Sequence, residues 1–530
     1  MNELTSTLAP LSEHAADMLV RMAGGEAELL HKAVSLLLSV LEDGGVCISI
    51  AELGDADEVA ARLSSLSVVG GAGDDKPLIL DGGRLYLHRY HGYEVSLAQR
   101  LLQLASARSA FCNEGAGDAL LSRSLAIVTG GPGTGKTTLA ATLLEDMARA
   151  SDGAPFSVAL MAPTGKAAAR LKESISRVSG KYPHVNITHG TVHRLLGPRA
   201  GSAYFKHDAR RPLPYDVVVL DEASMMDLPL MAKLLDAIDA SRSRIVILGD
   251  PGQLPSIHSG SALADIVEAA RRAPEGAIAR CHRLLSVNHR SGEEPELAEL
   301  IDSVRLGDAD RVMALLYNSD ALELCRAPGP EQMPDYVEAE LGDYIAALHG
   351  AGDADEALAI AASRRLVCMF RQGPCGSDAV NALSLALAKA RGYYGRDGRF
   401  FHGMPIMVTR NAHRQNLFNG DSGIVLREGR GLCAYFQSPD GARAVSLQNL
   451  PPFEPAFALT VHKGQGSEYR DVGILLPAHD HPLLTRELFY TAVSRARRSI
   501  RVMGNEALIR MALARTVSRA SGLAGRLAGP

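Results

Sequence analysis

The chain lacks a surplus of positive charge. Its 55 lysines and arginines against 60 acids leave a net charge of −5 over 530 residues. That balance excludes a uniformly basic coat and, taken alone, disfavours a polyanion as partner. A disulfide or zinc framework is missing too. The seven cysteines (47, 112, 281, 325, 368, 375 and 433) are odd in number, scattered, and form no CxxC pair. They read as reduced thiols, and the expected location is the cytoplasm. Cys281 and His282 are adjacent but have no companion ligands, so no metal site is expected there. Met1 to Gly25 carries Glu3, Glu13 and Asp17 with no basic stretch leading into an apolar one, which does not read as a secretory signal. Apolar runs such as Ala33 to Leu41 fall far short of the roughly 20 residues that span a bilayer. No internal repeat is seen, and low complexity is confined to the Ala/Arg/Gly-rich tail from Met511. No nuclease constellation is seen either.

What is present is an ordinary globular balance, 46% apolar and 22% charged, over a length that suggests roughly three or four domains. Residues 1–115 read as a mostly helical N-terminal region, with apolar spacing through Leu29, Leu30, Ala33, Leu37, Leu38 and Leu41 and again through Leu97, Leu101, Leu102 and Leu104. From about residue 120 the rhythm changes to short apolar runs, each followed by a loop and a helix. They are Leu125–Thr129, Val158–Met161, Val217–Leu220 and Ile245–Leu248. Strands without polar alternation, separated by helices, predict a parallel sheet covered on both faces. A second series, Leu366–Phe370, Phe457–Thr460, Val472–Leu476 and Ser499–Met503, predicts a second such unit. Between 404 and 450, short β-like runs and turns at Asn419-Gly420 and Pro439-Asp-Gly441 predict a small β-rich insertion. The expected divisions are therefore 1–115, 116–292 and 293–530.

The strongest chemical signal is Gly130-Gly131-Pro132-Gly133-Thr134-Gly135-Lys136-Thr137, after one strand and opening a helix. Glycines let backbone amides curl around phosphate oxygens at a helix N-terminus. Lys136 suits the β- and γ-phosphates and Thr137 a Mg²⁺ ion. Asp221 and Glu222 end the apolar strand Val217–Leu220, where Asp221 suits the hydrated Mg²⁺ and Glu222 the proton of the attacking water. Gln253, just past a third strand tip, suits a sensor of the γ-phosphate. Arg290 and Arg495 lie outside the first unit and suit arginine fingers across a cleft. Three of only ten lysines (136, 166 and 463) sit in loops of motifs, as a backbone-gripping channel would require. From Arg495 onward eight arginines face one acid, Glu506; a DNA or partner contact and a solvated helix face fit this tail equally well.

As an ordered set, GGPGTGKTT (130–138), APTGKAAARL (162–171), VVVLDEAS (217–224), ILGDPGQLPS (247–256), NHR (288–290), LTVHKGQGSEY (459–469) and FYTAVSRARR (489–498) resembles the motifs of superfamily 1 helicases. More narrowly it is similar to the RecD family, the α subunits of bacterial exodeoxyribonuclease V (RecBCD). THGTVHRLLG (188–197) and LVCMFRQGPCG (366–376) are also similar to segments of that family. The resemblance covers about 120–504 and matches the first 115 residues only loosely. It implies two tandem RecA-like parallel-sheet domains closing on ATP and Mg²⁺, a small SH3-like β-barrel at 404–450 and a helical N-terminal domain. It also implies 5′-to-3′ translocation along single-stranded DNA, RecB-like and RecC-like partners, and a place in recombination and DNA repair. Lys136, Thr137, Asp221, Glu222, Gln253, Arg290 and Arg495 match the ATPase positions. Thr164, Lys166, His189, His193, Thr460, His462, Lys463 and Gln465 fall in motifs that line the DNA channel or couple it to ATP. The chain departs from the pattern in having no glutamine between Leu104 and Gly130 to read adenine. A standalone or relaxase-type helicase, and a non-catalytic subunit switched by nucleotide, remain alternative readings.

Overall fold

The structure is a computed structural model and describes residues 2–109, 119–199, 201–287, 294–394, 398–429, 431–438 and 441–529. Its centre is a six-stranded, wholly parallel sheet. The strand order across it is His282–Leu285, Leu125–Gly130, Arg244–Gly249, Val217–Leu220, Phe156–Ala162 and Val185–Thr191. Successive residues of its strands serve two different cores. Ala126, Val128, Val158, Leu160, Val217, Val219, Val246 and Leu248 pack beneath the helices Lys136–Ala150 and Gly165–Lys181. Their neighbours Leu125, Ile127, Ala159, Met161, Val218, Leu220, Ile245 and Ile247 pack beneath Leu228–Asp236 and Ala262–Arg272. Burial on both faces explains why the strands read as unbroken apolar runs. Each such side chain contributes about 1.5–3 kcal/mol.

A second parallel sheet has the order Leu322–Arg326, Ala496–Gly504, Tyr469–Leu475, Arg364–Cys368 and Ala458–Thr460. Beside it Met404–Val408, Ser422–Glu428, Gly431–Ser438, Gly441–Ser446 and Phe453–Pro455 form an antiparallel sheet. Among the described residues no ladder joins its end strands, Gly441–Ser446 and Phe453–Pro455, so the expected barrel stands as an open five-stranded sheet.

The N-terminal region departs from the helical expectation. Beside its helices it holds a four-stranded sheet in the order Cys47–Ser49, Arg84–Leu87, Leu78–Asp81 and Val69–Gly70. Strands of two to four residues are too short to show an alternation of period two, and glycine-rich turns separate them. Its last helix, His88–Ser106, packs into the core of the first parallel sheet through Leu97, Leu101 and Leu104.

The arginine-rich tail in part turns back onto the chain itself. After Glu506–Ala514 the chain crosses back, and the helix Leu523–Ala528 inserts Leu523 and Leu527 into the first unit's core. Three of its arginines are spent internally. Arg515 pairs with Asp480 at 3.0 Å, and Arg526 with Asp81 at 2.6 Å and Glu94 at 2.8 Å. Arg519 donates to the carbonyls of Ser256, His258 and Gly260. Among the described residues no helix is long and apolar enough to cross a membrane.

Candidate active site

The carboxyl ends of the first sheet's strands open into a cleft of about 900 Å³ that the second unit closes from the other side. Open parallel sheets bind ligands at this edge. The phosphate loop wraps its floor. Gly133 (φ 75°) and Gly135 (φ 83°) adopt left-handed backbone that only glycine accepts cheaply. The loop is tightened by Thr134, whose hydroxyl donates to the Gly131 carbonyl at 2.8 Å. Lys136 bends back over it, its Nζ donating to the Gly130 and Gly131 carbonyls at 2.7 and 2.8 Å. An ammonium held by two neutral carbonyls is set to exchange them for phosphate oxygens.

Asp221 and Glu222 stand at the tip of Val217–Leu220. The Glu222 amide donates to Asp221 Oδ1 at 2.8 Å, and Glu222 itself sits at φ 53°, ψ 41°. For a non-glycine residue that backbone costs of order 1–3 kcal/mol and is typical of functional sites. Burial, reinforced by the charge of Glu222, pushes the Asp221 carboxyl up to about 7, while the Glu222 amide and Lys136 pull it down. Two crowded carboxylates beside the Thr137 hydroxyl, all lining the cleft, form an oxygen-donor set that suits Mg²⁺. Gln253 is buried, with Nε2 donating to Asp250 Oδ2 at 3.3 Å and Oε1 unpartnered among the described residues.

Arg495 reaches the same cleft from the second unit. It is 3% exposed and donates to the Thr491 carbonyl (3.0 Å), the Ser467 carbonyl (3.2 Å) and Ser494 Oγ (2.9 Å). Among the described residues all its hydrogen-bond partners are neutral, so its charge is left for an anion in the cleft. Arg290 lies outside the described residues. Sequence reasoning assigned no role to several other residues lining this cleft, among them Arg170, Asp250, Arg283, Glu468 and Arg497. All of these but Arg283 lie inside the motifs; the i, i+4 spacing of Lys166 and Arg170 was the available signal that both share one helix face.

The nucleic-acid candidates are scattered more widely. Lys166 is half-buried at the interface of the units, where Nζ donates to Ser467 Oγ at 2.8 Å, and partial loss of solvent pulls its ammonium below the ordinary lysine value. One turn on, Arg170 donates to the Gly466 carbonyl at 2.6 Å. Gln465 Nε2 crosses the interface to the Leu254 carbonyl at 3.2 Å. Thr164 caps the helix Gly165–Lys181 by accepting from the Ala167 amide. Buried Thr460 accepts from the Lys463 amide, and Lys463 Nζ pairs with Glu454 at 2.5 Å. His462 is exposed beside them. His189 lies on the edge strand Val185–Thr191 and His193 packs edge-on against Phe205 at 5.7 Å. Among the described residues no hydrogen bond or ion pair joins these two histidines to the other six candidates. The structure thus brings Thr164, Lys166 and the 460–467 segment together and leaves the histidines at the sheet's far edge.

Residues 113–259 match the family model described as an AAA domain, and 455–503 match the UvrD-like helicase C-terminal domain. The chain is 36% identical to the RecBCD enzyme subunit RecD of Mycolicibacterium smegmatis, over 98% of this chain and 97% of that one. It is 31% identical to the ATP-dependent RecD2 DNA helicase of Deinococcus radiodurans, over 87% of this chain and 61% of that one. Among solved structures, a Bacteroides Pif1 helicase with ADP-AlF3 and single-stranded DNA aligns at 15% identity. It covers 72% of this chain and 90% of its own, with a TM-score of 0.39.

Proposed function

The chain belongs to the RecD family of RecBCD enzyme subunits, and on that premise we propose that it is an ATP-dependent DNA helicase acting in recombination and repair. It moves 5′-to-3′ along single-stranded DNA as the RecD-type member of a complex with RecB-like and RecC-like subunits. The observation that carries this reading is the two-sided cleft. Lys136, Asp221, Glu222 and Gln253 come from the first unit, and Arg495 comes from the second with no anionic partner among the described residues.

Lys136 binds the phosphates, Glu222 accepts the proton of the attacking water, and Arg495 stabilises charge that builds in the transition state. Thr137 and Asp221 hold Mg²⁺, which when bound neutralises phosphate charge. Filling the cleft with a polyanion favours closure of the second unit, because Arg495 gains a charged partner only then; hydrolysis and release reverse the bias. The helix Gly165–Lys181 couples this to DNA. Arg170 lines the nucleotide cleft while Lys166, one turn away, contacts the 460–467 segment of the second unit. Thr164, His189, His193, Thr460, His462, Lys463 and Gln465 complete the proposed DNA contacts. The domain divisions 1–115, 116–292 and 293–530, with the 404–450 sheet as counterpart of the family's small barrel, belong to the same reading.

The test is ATP hydrolysis by the full chain with and without single-stranded DNA. Stimulation that disappears in Glu222→Gln, with nucleotide binding retained, is expected; hydrolysis unaffected by that change contradicts the assignment.

A further inference from the structure

Tyr490 sits on the helix Arg486–Val493 of the second unit, 1% exposed, and takes no part in the roles above. Its hydroxyl donates to Asp250 Oδ2 at 2.9 Å, across 240 positions of sequence. The same oxygen accepts from Gln253 Nε2 at 3.3 Å, and Oδ1 accepts from the Gly252 amide at 3.0 Å. The approach is close on two sides. A Cβ on Gly131 would lie 3.1 Å from the Tyr490 hydroxyl, and one on Gly252 would lie 3.3 Å from the Tyr490 ring. The next residue repeats the connection, since Thr491 Oγ1 accepts from the Leu254 amide at 2.8 Å.

We propose that Tyr490 is a positioning residue for hydrolysis, acting from the second unit through Asp250 on Gln253. This rests on the ATPase reading given above. A primary amide has two faces, and the neighbouring hydrogen bonds decide which one meets the reactants. With Nε2 held by Asp250, Oε1 faces elsewhere; it is buried and unpartnered among the described residues, and the residue lines the nucleotide cleft. An acceptor in that place suits a hydrogen of the attacking water, the same water whose other proton passes to Glu222. Asp250 keeps this orientation only while it is ionised and fixed. Burial works against its charge, and the charge of Lys136, followed by the donors from Tyr490, Gly252 and Gln253, offsets that cost. The hydroxyl from the second unit is therefore the part of this network that comes and goes with closure of the cleft. The result is that Gln253 is competent only when the two units are docked.

The experiment is steady-state ATP hydrolysis by the full chain at saturating single-stranded DNA, in a double-mutant cycle. Tyr490→Phe keeps the ring and removes one charge-assisted hydrogen bond, for which a fall in kcat of about tenfold with an ATP KM within about twofold of wild type is expected. In a Gln253→Ala background the same change should cost nothing further. Asp250→Asn, which leaves Tyr490 in place, should reproduce the loss and provides the test should Tyr490→Phe fold poorly. Wild-type kcat in Tyr490→Phe, or an equal loss in the presence and absence of Gln253, overturns the proposal. A wild-type chain without DNA-stimulated hydrolysis overturns instead the reading on which it rests.

Discussion

Lys166 and Ser467, 301 positions apart, share a hydrogen bond of 2.8 Å that joins the two parallel-sheet units. The lysine is half-buried there without a carboxylate hydrogen-bond partner among the described residues, so lost solvent disfavours its charge until an anion arrives. A DNA phosphate fits that need. Lys166→Met should weaken single-stranded DNA binding at least fivefold and reduce the salt dependence of binding, as loss of one phosphate contact does. DNA titrations at two salt concentrations measure both; unchanged affinity and slope would remove Lys166 from the channel.

Glu222 carries backbone strain at φ 53°. Replacement by glycine relieves it at some cost in unfolded-state entropy, for a net gain of about 1 kcal/mol. Glu222→Gly should therefore melt at or above the wild-type temperature while hydrolysis is lost. A clear drop in melting temperature would show that the left-handed turn is not strained.

The C-terminal strap closes on Glu94, which is fully buried. Glu94 accepts from Tyr86 Oη (3.1 Å), Ser521 Oγ (3.2 Å), the Gly522 amide (2.9 Å) and Arg526 Nε (2.8 Å). Arg526→Ala leaves that carboxylate short of its only cationic hydrogen-bond partner among the described residues and should cost about 2–4 kcal/mol. Urea unfolding at neutral pH measures it, and a loss below 1 kcal/mol would make the strap incidental.

Asp265 lies under the same strap. Burial is the main cause pushing its carboxyl up to about 7, with the charge of Glu94 adding to it and a Ser521 hydrogen bond opposing. An acid raised in the folded state binds its proton more tightly there than when unfolded. Its contribution is complete below about pH 4, declines as pH rises toward about 7, and is flat beyond. Asp265→Asn should flatten that part of the stability profile. Melting curves between pH 5 and pH 8 that fall in parallel for both proteins would contradict it.

Much of this was readable before the fold was known, for identifiable reasons. The parallel strands were legible because burial on both faces demands unbroken apolar runs such as Val217–Leu220, and the phosphate loop because its glycines are dictated by backbone geometry. The N-terminal sheet was not, since Val69–Gly70 and Leu78–Asp81 are too short to carry a period. Nor was the fate of the tail arginines, because composition cannot distinguish an exposed face from a strap whose partners, Asp81 and Glu94, lie more than 400 positions away. Within the site, residues that touch phosphate announce themselves by motif. Tyr490 and Ser467 also lie inside motifs, FYTAVSRARR and LTVHKGQGSEY, but act by meeting a residue of the other unit, and a motif does not encode its partner.

Hydrolysis in the cleft is proposed to drive movement on DNA. Unwinding of a 5′-tailed duplex, followed together with ATP hydrolysis for the wild-type chain and for Lys136→Gln, tests it most directly. The account predicts that Lys136→Gln loses both activities by at least a hundredfold while its melting temperature stays within a few degrees. Retention of DNA-stimulated hydrolysis or unwinding by that variant would contradict it.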